Sequence, residues 1–168
     1  TYSMLTYNST EEAQTDGAFV THTGTCGLCS TTQDLASYMA VKDMTSAGKK
    51  CGVESLLSFK LGLRCYMGLG LSEECARIWV YDSLKDSEVC KWTCAKGWRD
   101  PYNIPPTCEL NDCLQCDEDQ AGPIFQQFGG RTRRRSGLES AIQRPCETVA
   151  QIDHQTCPDK HNYRDSTQ

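Results

Sequence analysis

The sequence predicts a mostly α, small disulfide-rich single domain with an extended N-terminal arm. Three observations support this: a length of 168 residues that fits one domain, 12 cysteines, and apolar residues at helical spacing with few alternating strand patterns. A hydrophobic content of 38% is low for a globular chain, and disulfides can compensate for a thin core. We predict an arm over residues 1–25, a disulfide-stapled helical domain over 26–157 and a polar tail over 158–168.

The N-terminal arm is rich in threonine and serine, and this composition predicts an extended segment with little core of its own. Asn8-Ser9-Thr10 is an N-glycosylation acceptor, which makes sense only in a secreted chain. The chain starts with Thr1 and has no charged-then-apolar leader, so we expect a mature chain from which a signal peptide has been removed.

Two helices are predicted in the first half of the domain. Thr31 followed by Asp34 resembles a capping box, and apolar residues follow at helical spacing from Leu35. A second helix is predicted over residues 47–59, interrupted or ended near the glycines that start at Gly62.

Further helices are predicted by their start signals. Ser72-Glu73-Glu74 opens a third helix that carries Trp79 and Asp82 on one side. Prolines predict a loop over residues 100–106, and Pro123 predicts the first position of a short helix with Ile124, Phe125 and Phe128 inward. The capping box at 136–139 predicts another helix, and one or two more turns are expected near residue 150.

All cysteines are predicted to be disulfide-bonded, because a framework of this density needs an oxidising compartment. The predicted half-cystines are Cys26, Cys29, Cys51, Cys65, Cys75, Cys90, Cys94, Cys108, Cys113, Cys116, Cys146 and Cys157. The even count permits complete pairing, but the sequence does not choose the connectivity. Cys26-x-x-Cys29 before a helix could instead be a thiol–disulfide exchange motif, and with Cys113-x-x-Cys116 it could form a zinc site. The secreted context favours disulfides over both alternatives.

An acidic run is followed by an arginine cluster. The residues are Asp117, Glu118, Asp119, Arg131, Arg133, Arg134 and Arg135. We expect these charges to pair with one another, since arginine suits buried ion pairs. Alternatively, the arginines could bind an acidic glycan, or Arg-x-Arg-Arg could be cut by a processing protease. The acids lack the alternating spacing of a calcium loop, so no metal site is predicted.

Several function classes are disfavoured by the sequence. The three histidines, His22, His154 and His161, have no metal-ligand spacing, and no GxSxG, phosphate loop or HExxH motif occurs. We therefore expect no enzyme and no cofactor. A net charge of −5 argues against nucleic-acid binding, and no apolar run is long enough to predict a membrane span.

A combination of motifs resembles a group of small secreted cysteine-rich proteins of algae, protists and their large viruses. The motifs are HxGxCGxCS from His22 to Ser30, Asp34-Leu35, Tyr38, CxxCDE from Cys113 to Glu118, GPxF from Gly122 to Phe125, and GRTRRRSG from Gly130 to Gly137. The resemblance extends from His22 to about His154. It implies an extracellular location and a disulfide framework, but no activity and no catalytic residue.

These observations favour a non-enzymatic extracellular structural glycoprotein that assembles with copies of itself, as a filament, sheath or surface-appendage subunit. The expected partners are further copies, bound through the N-terminal arm, and covalent glycans. A secreted carbohydrate-binding module that recognises acidic glycans is the alternative, and a secreted enzyme acting on polysaccharide or on disulfides is a further one.

Overall fold

A computed structural model describes residues 3–104, 107, 109–138 and 140–142. It confirms the prediction of a mostly α, disulfide-rich single domain, with one two-stranded antiparallel sheet in the described part. The helices there are α1 (Thr10–Thr15), α2 (Thr32–Ala40), α3 (Met44–Leu57), α4 (Phe59–Gly68), α5 (Glu73–Val89), α6 (Lys91–Lys96), α7 (Asp112–Gln120) and α8 (Gly122–Gly129). The strands are β1 (Asn103–Ile104) and β2 (Glu109–Leu110). None of the described helices is long and apolar enough to cross a bilayer.

Two predicted helix starts are confirmed, and a buried carboxylate links them. The side chains of Thr31 and Ser72 cap α2 and α5 by accepting backbone N–H bonds from Asp34 and Cys75. Asp34 is fully buried and accepts hydrogen bonds from the Thr31 hydroxyl and from both the backbone N–H (2.8 Å) and the hydroxyl (3.0 Å) of Ser72. The two helix N-termini therefore lie together.

The helical segment ends at Gly68, one of the glycines where an end was expected, but Gly62 lies inside α4 and does not break it. A Cβ atom at Gly62 would stand 2.0 Å from the Ser55 hydroxyl oxygen of α3. The glycine is thus required by the close approach of α3 and α4. A disulfide between Cys51 and Cys65 joins the same two helices.

The core forms around α5 and contains an aromatic cluster. The ring of Trp79 lies 5.6 Å from that of Tyr66 and 5.0 Å from that of Phe125, measured between centroids. The Trp79 indole N–H donates to the buried Tyr38 hydroxyl (3.2 Å), so this cluster also satisfies its polar atoms. The cluster joins α2, α4, α5 and α8.

The structure differs from the predicted elements at four further places. The arm contains the short helix α1, which begins after a Ser9 cap. The predicted loop over 100–106 contributes β1, and α7 was not predicted because its sequence is polar. In α8, Phe125 is buried as expected but Ile124 and Phe128 are exposed.

The helix predicted from Ser136 is a fifth difference. Gly137 has a φ of +71°, and the Ser136 hydroxyl donates to the Arg133 carbonyl instead of capping a helix. The turns expected near residue 150, the polar tail and three cysteines (Cys108, Cys146 and Cys157) lie outside the described residues.

Candidate functional site

Four disulfides join eight of the predicted half-cystines. The pairs are Cys29–Cys75, Cys51–Cys65, Cys90–Cys116 and Cys94–Cys113. Cys26 is exposed and has no disulfide partner among the described residues. The two CxxC motifs are therefore separate in the fold: Cys29 is bonded to α5, whereas both cysteines of the second motif hold α7 against the region where α5 ends and α6 begins.

The first CxxC motif forms a corner with the end of α8. We call residues 26–31 and 129–131 the CxxC corner. The backbone N–H groups of Leu28 and Cys29 donate to the carbonyls of Phe128 (3.0 Å) and Gly129 (2.8 Å). A Cβ atom at Gly27 would lie 2.5 Å from the Phe128 carbonyl oxygen, so a glycine is needed at this contact.

Arg131 is the buried charge of the CxxC corner. Its guanidinium donates to the carbonyls of Thr31 (2.8 Å) and Cys29 (3.4 Å), and its backbone N–H donates to the Ser30 hydroxyl (3.2 Å). Burial lowers the pKa of this arginine below its usual value. The partners of Arg131 are backbone carbonyls, whereas the sequence suggested the acidic run.

The other predicted charges are distributed over separate contacts. Arg133 is buried and donates to the Leu138 carbonyl (3.1 Å), and Arg134 forms an ion pair with Glu118. Asp119 accepts from the Gln115 side chain (2.8 Å). Arg135 is partly buried, and its guanidinium makes no hydrogen bond to a described residue.

The predicted glycosylation acceptor is accessible. Asn8 is exposed, and its backbone N–H donates to the Glu12 carboxylate (3.0 Å) just before α1. This position leaves the Asn8 side chain open to solvent.

A cleft of about 540 Å³ lies beside α3, α5 and α7, and we call it the acidic cleft. Its apolar walls include Trp79, Phe125 and Leu114, and basic side chains also line it: Lys49, Lys91, Arg133, Arg134 and Arg135. One part is lined by three partly buried aspartates, which we call the acidic cluster: Asp82, Asp86 and Asp117. Each contributes one carboxylate oxygen to a group in which all three oxygens lie within 4.8 Å of one another.

Helix spacing and one disulfide assemble the acidic cluster. Asp82, Asp86 and Cys90 follow at intervals of four residues, which places them on one face of α5 and at its end. Cys90 is bonded to Cys116 of α7, with a Cα–Cα distance of 5.9 Å. Asp117 follows Cys116 directly, so this bond fixes its carboxylate beside those of α5.

The electrostatics of the acidic cluster are unfavourable in the empty protein. Burial raises the pKa of Asp82 well above its usual value, and the charges of Asp117 and Glu118 raise it further. Burial and the charge of Asp82 raise the pKa of Asp86 to about 7, although a side-chain hydrogen bond with Asp117 acts to lower it. The Oδ1 atoms of Asp82 and Asp86 are both inaccessible to solvent and have no hydrogen-bond partner among the described residues.

The helical pattern of the sequence indicates that Asp82 lies on a helix face, but it does not identify Asp82 or Asp86 as a site residue. The available signal was the regular spacing of Asp82, Asp86 and Cys90 on a predicted helix. That spacing becomes a cluster when the Cys90–Cys116 and Cys94–Cys113 bonds hold α7 in place, and disulfide connectivity is not readable from the sequence.

Comparison with known proteins gives a family without an assigned function. No curated protein and no solved structure matches the chain. A family model, described as a family of unknown function (DUF8771), matches residues 59–152, more than half of the 168 residues. The matched span contains the whole acidic cluster and the four predicted arginines. The chain therefore belongs to the DUF8771 family of unknown function.

Proposed function

We propose that the protein is a non-enzymatic extracellular structural subunit that assembles head to tail with copies of itself. In this proposal the N-terminal arm of one copy lies on α3 of the next. The observation that carries it is an exposed apolar surface on α3, formed by Val53, Leu56 and Leu57, which we call the α3 stripe.

The α3 stripe has the form of an unoccupied helix-packing surface. Its residues stand at positions i, i+3 and i+4, which share one face of a helix. Leu57 retains 76% of its exposure. Contact between water and clustered apolar side chains is unfavourable in free energy. Burial against an apolar partner surface removes this unfavourable contact.

The arm offers apolar side chains that fit such a surface. Leu5 is 68% exposed and Phe19 is 61% exposed, at the two sides of α1. The arm is attached to its own domain where the Arg131 guanidinium contacts the Met4 sulfur (3.5 Å). Because arm and stripe are different surfaces, their contact is heterologous and can repeat from copy to copy.

Three features support an extracellular location for this assembly. Four disulfides are typical of proteins from oxidising compartments, and the Asn8 acceptor is exposed. The resemblance to secreted cysteine-rich proteins of algae, protists and their viruses agrees with both. The alternative of an acidic-glycan module has less support, because Arg131 and Arg133 are buried and Arg134 is paired with Glu118.

Sedimentation velocity over a range of concentrations, with electron microscopy of the same samples, tests the proposal. We expect the wild type to form larger species and Leu57→Glu to remain monomeric, because a carboxylate on the α3 stripe cannot be buried unpaired. Met67→Glu is the matched control, since Met67 is 42% exposed on α4 and lies outside the stripe. Deletion of residues 1–24 should also abolish assembly. A wild type that stays monomeric at every concentration, or a Leu57→Glu variant that assembles normally, would contradict the proposal.

A further inference from the structure

We propose that the acidic cluster binds one divalent cation, and that calcium is the ion its donors fit. This site shares its cleft with Val53 and Leu56 of the α3 stripe, but none of its three ligands belongs to the stripe. It combines two observations: three convergent carboxylates at the wall of an open cleft, and two buried carboxylate oxygens that lack hydrogen-bond partners in the described part of the chain.

The geometry of the cluster matches a single ion. Calcium binds oxygen at 2.3–2.6 Å, so two oxygens on opposite sides of one ion stand roughly 4.6–5.2 Å apart. The three carboxylate oxygens of Asp82, Asp86 and Asp117 all lie within 4.8 Å of one another. One ion between them can reach an oxygen of each aspartate without a large movement of the helices.

The unpartnered oxygens point to a ligand that supplies positive charge. Asp34 is a buried aspartate that needs no cation, because it accepts hydrogen bonds from Thr31 and Ser72. Asp82 Oδ1 and Asp86 Oδ1 have no equivalent donors among the described residues. Burying carboxylate oxygens without hydrogen-bond donors costs folding free energy, and a bound cation removes this cost.

The donor set selects the class of metal. The three ligands are carboxylate oxygens, which favour hard cations over the softer ions preferred by thiolate and imidazole. Calcium takes six to eight oxygens in flexible geometry, and water in the open cleft can complete this number. Magnesium requires near-ideal octahedral geometry at about 2.0–2.1 Å, a stricter demand on three side chains held by two helices than the flexible coordination of calcium.

The affinity should suit an extracellular setting. Three carboxylates completed by water form a modest site, comparable to extracellular modules with Kd values of about 10⁻⁴–10⁻³ M. Addition of about 10 mM calcium to the whole disulfide-bonded protein in place of EDTA should then raise Tm by roughly 3–8 °C. Sodium chloride at matched ionic strength is the control for general screening.

Terbium provides a second measurement, because this trivalent analogue of calcium luminesces when an excited indole lies nearby. Trp79 lines the same cleft, so terbium emission excited through tryptophan should appear on binding and should disappear when calcium is added. Asp82→Asn and Asp117→Asn should each lose this emission and the calcium-dependent rise in Tm. Asp119→Asn removes the same charge from an exposed position on α7 and should keep both.

Two experimental results would overturn the proposal. A wild type with no calcium-dependent rise in Tm and no sensitised terbium emission overturns the proposal. Responses that persist in both Asp82→Asn and Asp117→Asn overturn it as well, since the ion would then bind elsewhere. If one of these variants does not fold, the other decides, because each removes one ligand.

Discussion

The CxxC corner and the acidic cleft both enclose charge within the same small domain, but they differ in what surrounds that charge: backbone carbonyls in the corner and other carboxylates in the cleft. In the corner, the Arg131 guanidinium donates to two backbone carbonyls. In the cleft, Asp82 and Asp86 each hold a buried oxygen without a hydrogen bond to a described residue. The corner therefore has the character of a scaffold, whereas the cleft has the character of a binding site.

This difference is set by which groups each region brings together. The Arg131 guanidinium stabilises the turn that it fills because it gives two buried carbonyls a donor, although its own Nε has no hydrogen-bond partner among the described residues. Carboxylates held side by side repel one another, and the disulfide between Cys90 and Cys116 keeps them close. Perturbed carboxylates in a cleft are a general mark of functional sites.

The largest expected effect comes from breaking the covalent link between the corner and α5. Replacing Cys29 and Cys75 by alanine opens a loop with a sequence separation of 46, which should cost about 4 kcal/mol of unfolding free energy. The same change at Cys51 and Cys65, with a separation of 14, should cost about 3 kcal/mol. Denaturant unfolding of both variants measures the difference, and a larger loss for the second pair would contradict the chain-entropy account.

Arg131→Met is the next largest expected effect, and it tests whether the corner depends on this buried charge. The variant leaves the Thr31 and Cys29 carbonyls without their donor, which should cost about 2–4 kcal/mol of unfolding free energy. Arg135→Met is the matched control and should change stability by no more than about 0.5 kcal/mol. Equal losses of unfolding free energy in the two variants would contradict the claim that Arg131 stabilises the fold more than Arg135 does.

The pH dependence of stability in EDTA addresses the cleft and should have a smaller effect. The pKa of Asp86 is raised to about 7, so between about pH 4 and pH 7 the native state holds a proton that the unfolded state has released. Stability from this group is present at low pH and is lost as pH rises through that window. The charge of Asp82 raises the pKa of Asp86 further, whereas a side-chain hydrogen bond with Asp117 acts to lower it.

Thermal unfolding between about pH 5 and pH 8 checks this expectation, with Tm falling by several degrees in the wild type. Asp86→Asn should flatten the profile, and Asp119→Asn should preserve it. A wild-type Tm that rises over this interval, with the same profile in Asp86→Asn, would exclude the predicted coupling.

The smallest expected effect concerns the ion pair at the edge of the cleft. Arg134 and Glu118 form a partly exposed pair, and a double-mutant cycle with alanine should give a coupling of about 0–1 kcal/mol. The coupling should shrink as salt is raised. A coupling energy several times larger would show that this ion pair stabilises the fold as strongly as the buried contacts of the corner, contrary to our expectation.

The parts of the fold that could be predicted from sequence are those set by neighbouring residues. Thr31 and Ser72 identify the starts of α2 and α5 because an N-cap acts within one turn. The same reasoning fails at Ser136, whose hydroxyl bonds to Arg133 while Gly137 takes a left-handed conformation. Here a tertiary arrangement overrides the local signal.

The acidic cluster could not be predicted, for a related reason. Two of its members share a face of α5, but the third comes from α7 and arrives through the Cys90–Cys116 bond. Pairing the acidic run with the arginine cluster was plausible from their proximity in sequence. The structure instead separates Arg131, which fills the CxxC corner, from Asp117, which faces the cleft.

The most direct test of the contrast between scaffold and site is the stability of Asp82→Asn. In equilibrium denaturant unfolding at about pH 8 in EDTA, above the raised pKa of Asp86, we expect a gain of about 1–2 kcal/mol over wild type. The gain is expected because asparagine keeps the shape of the side chain and removes a buried charge. A loss of stability, as expected for Arg131→Met, would contradict the account, since Asp82 would then be a scaffold residue.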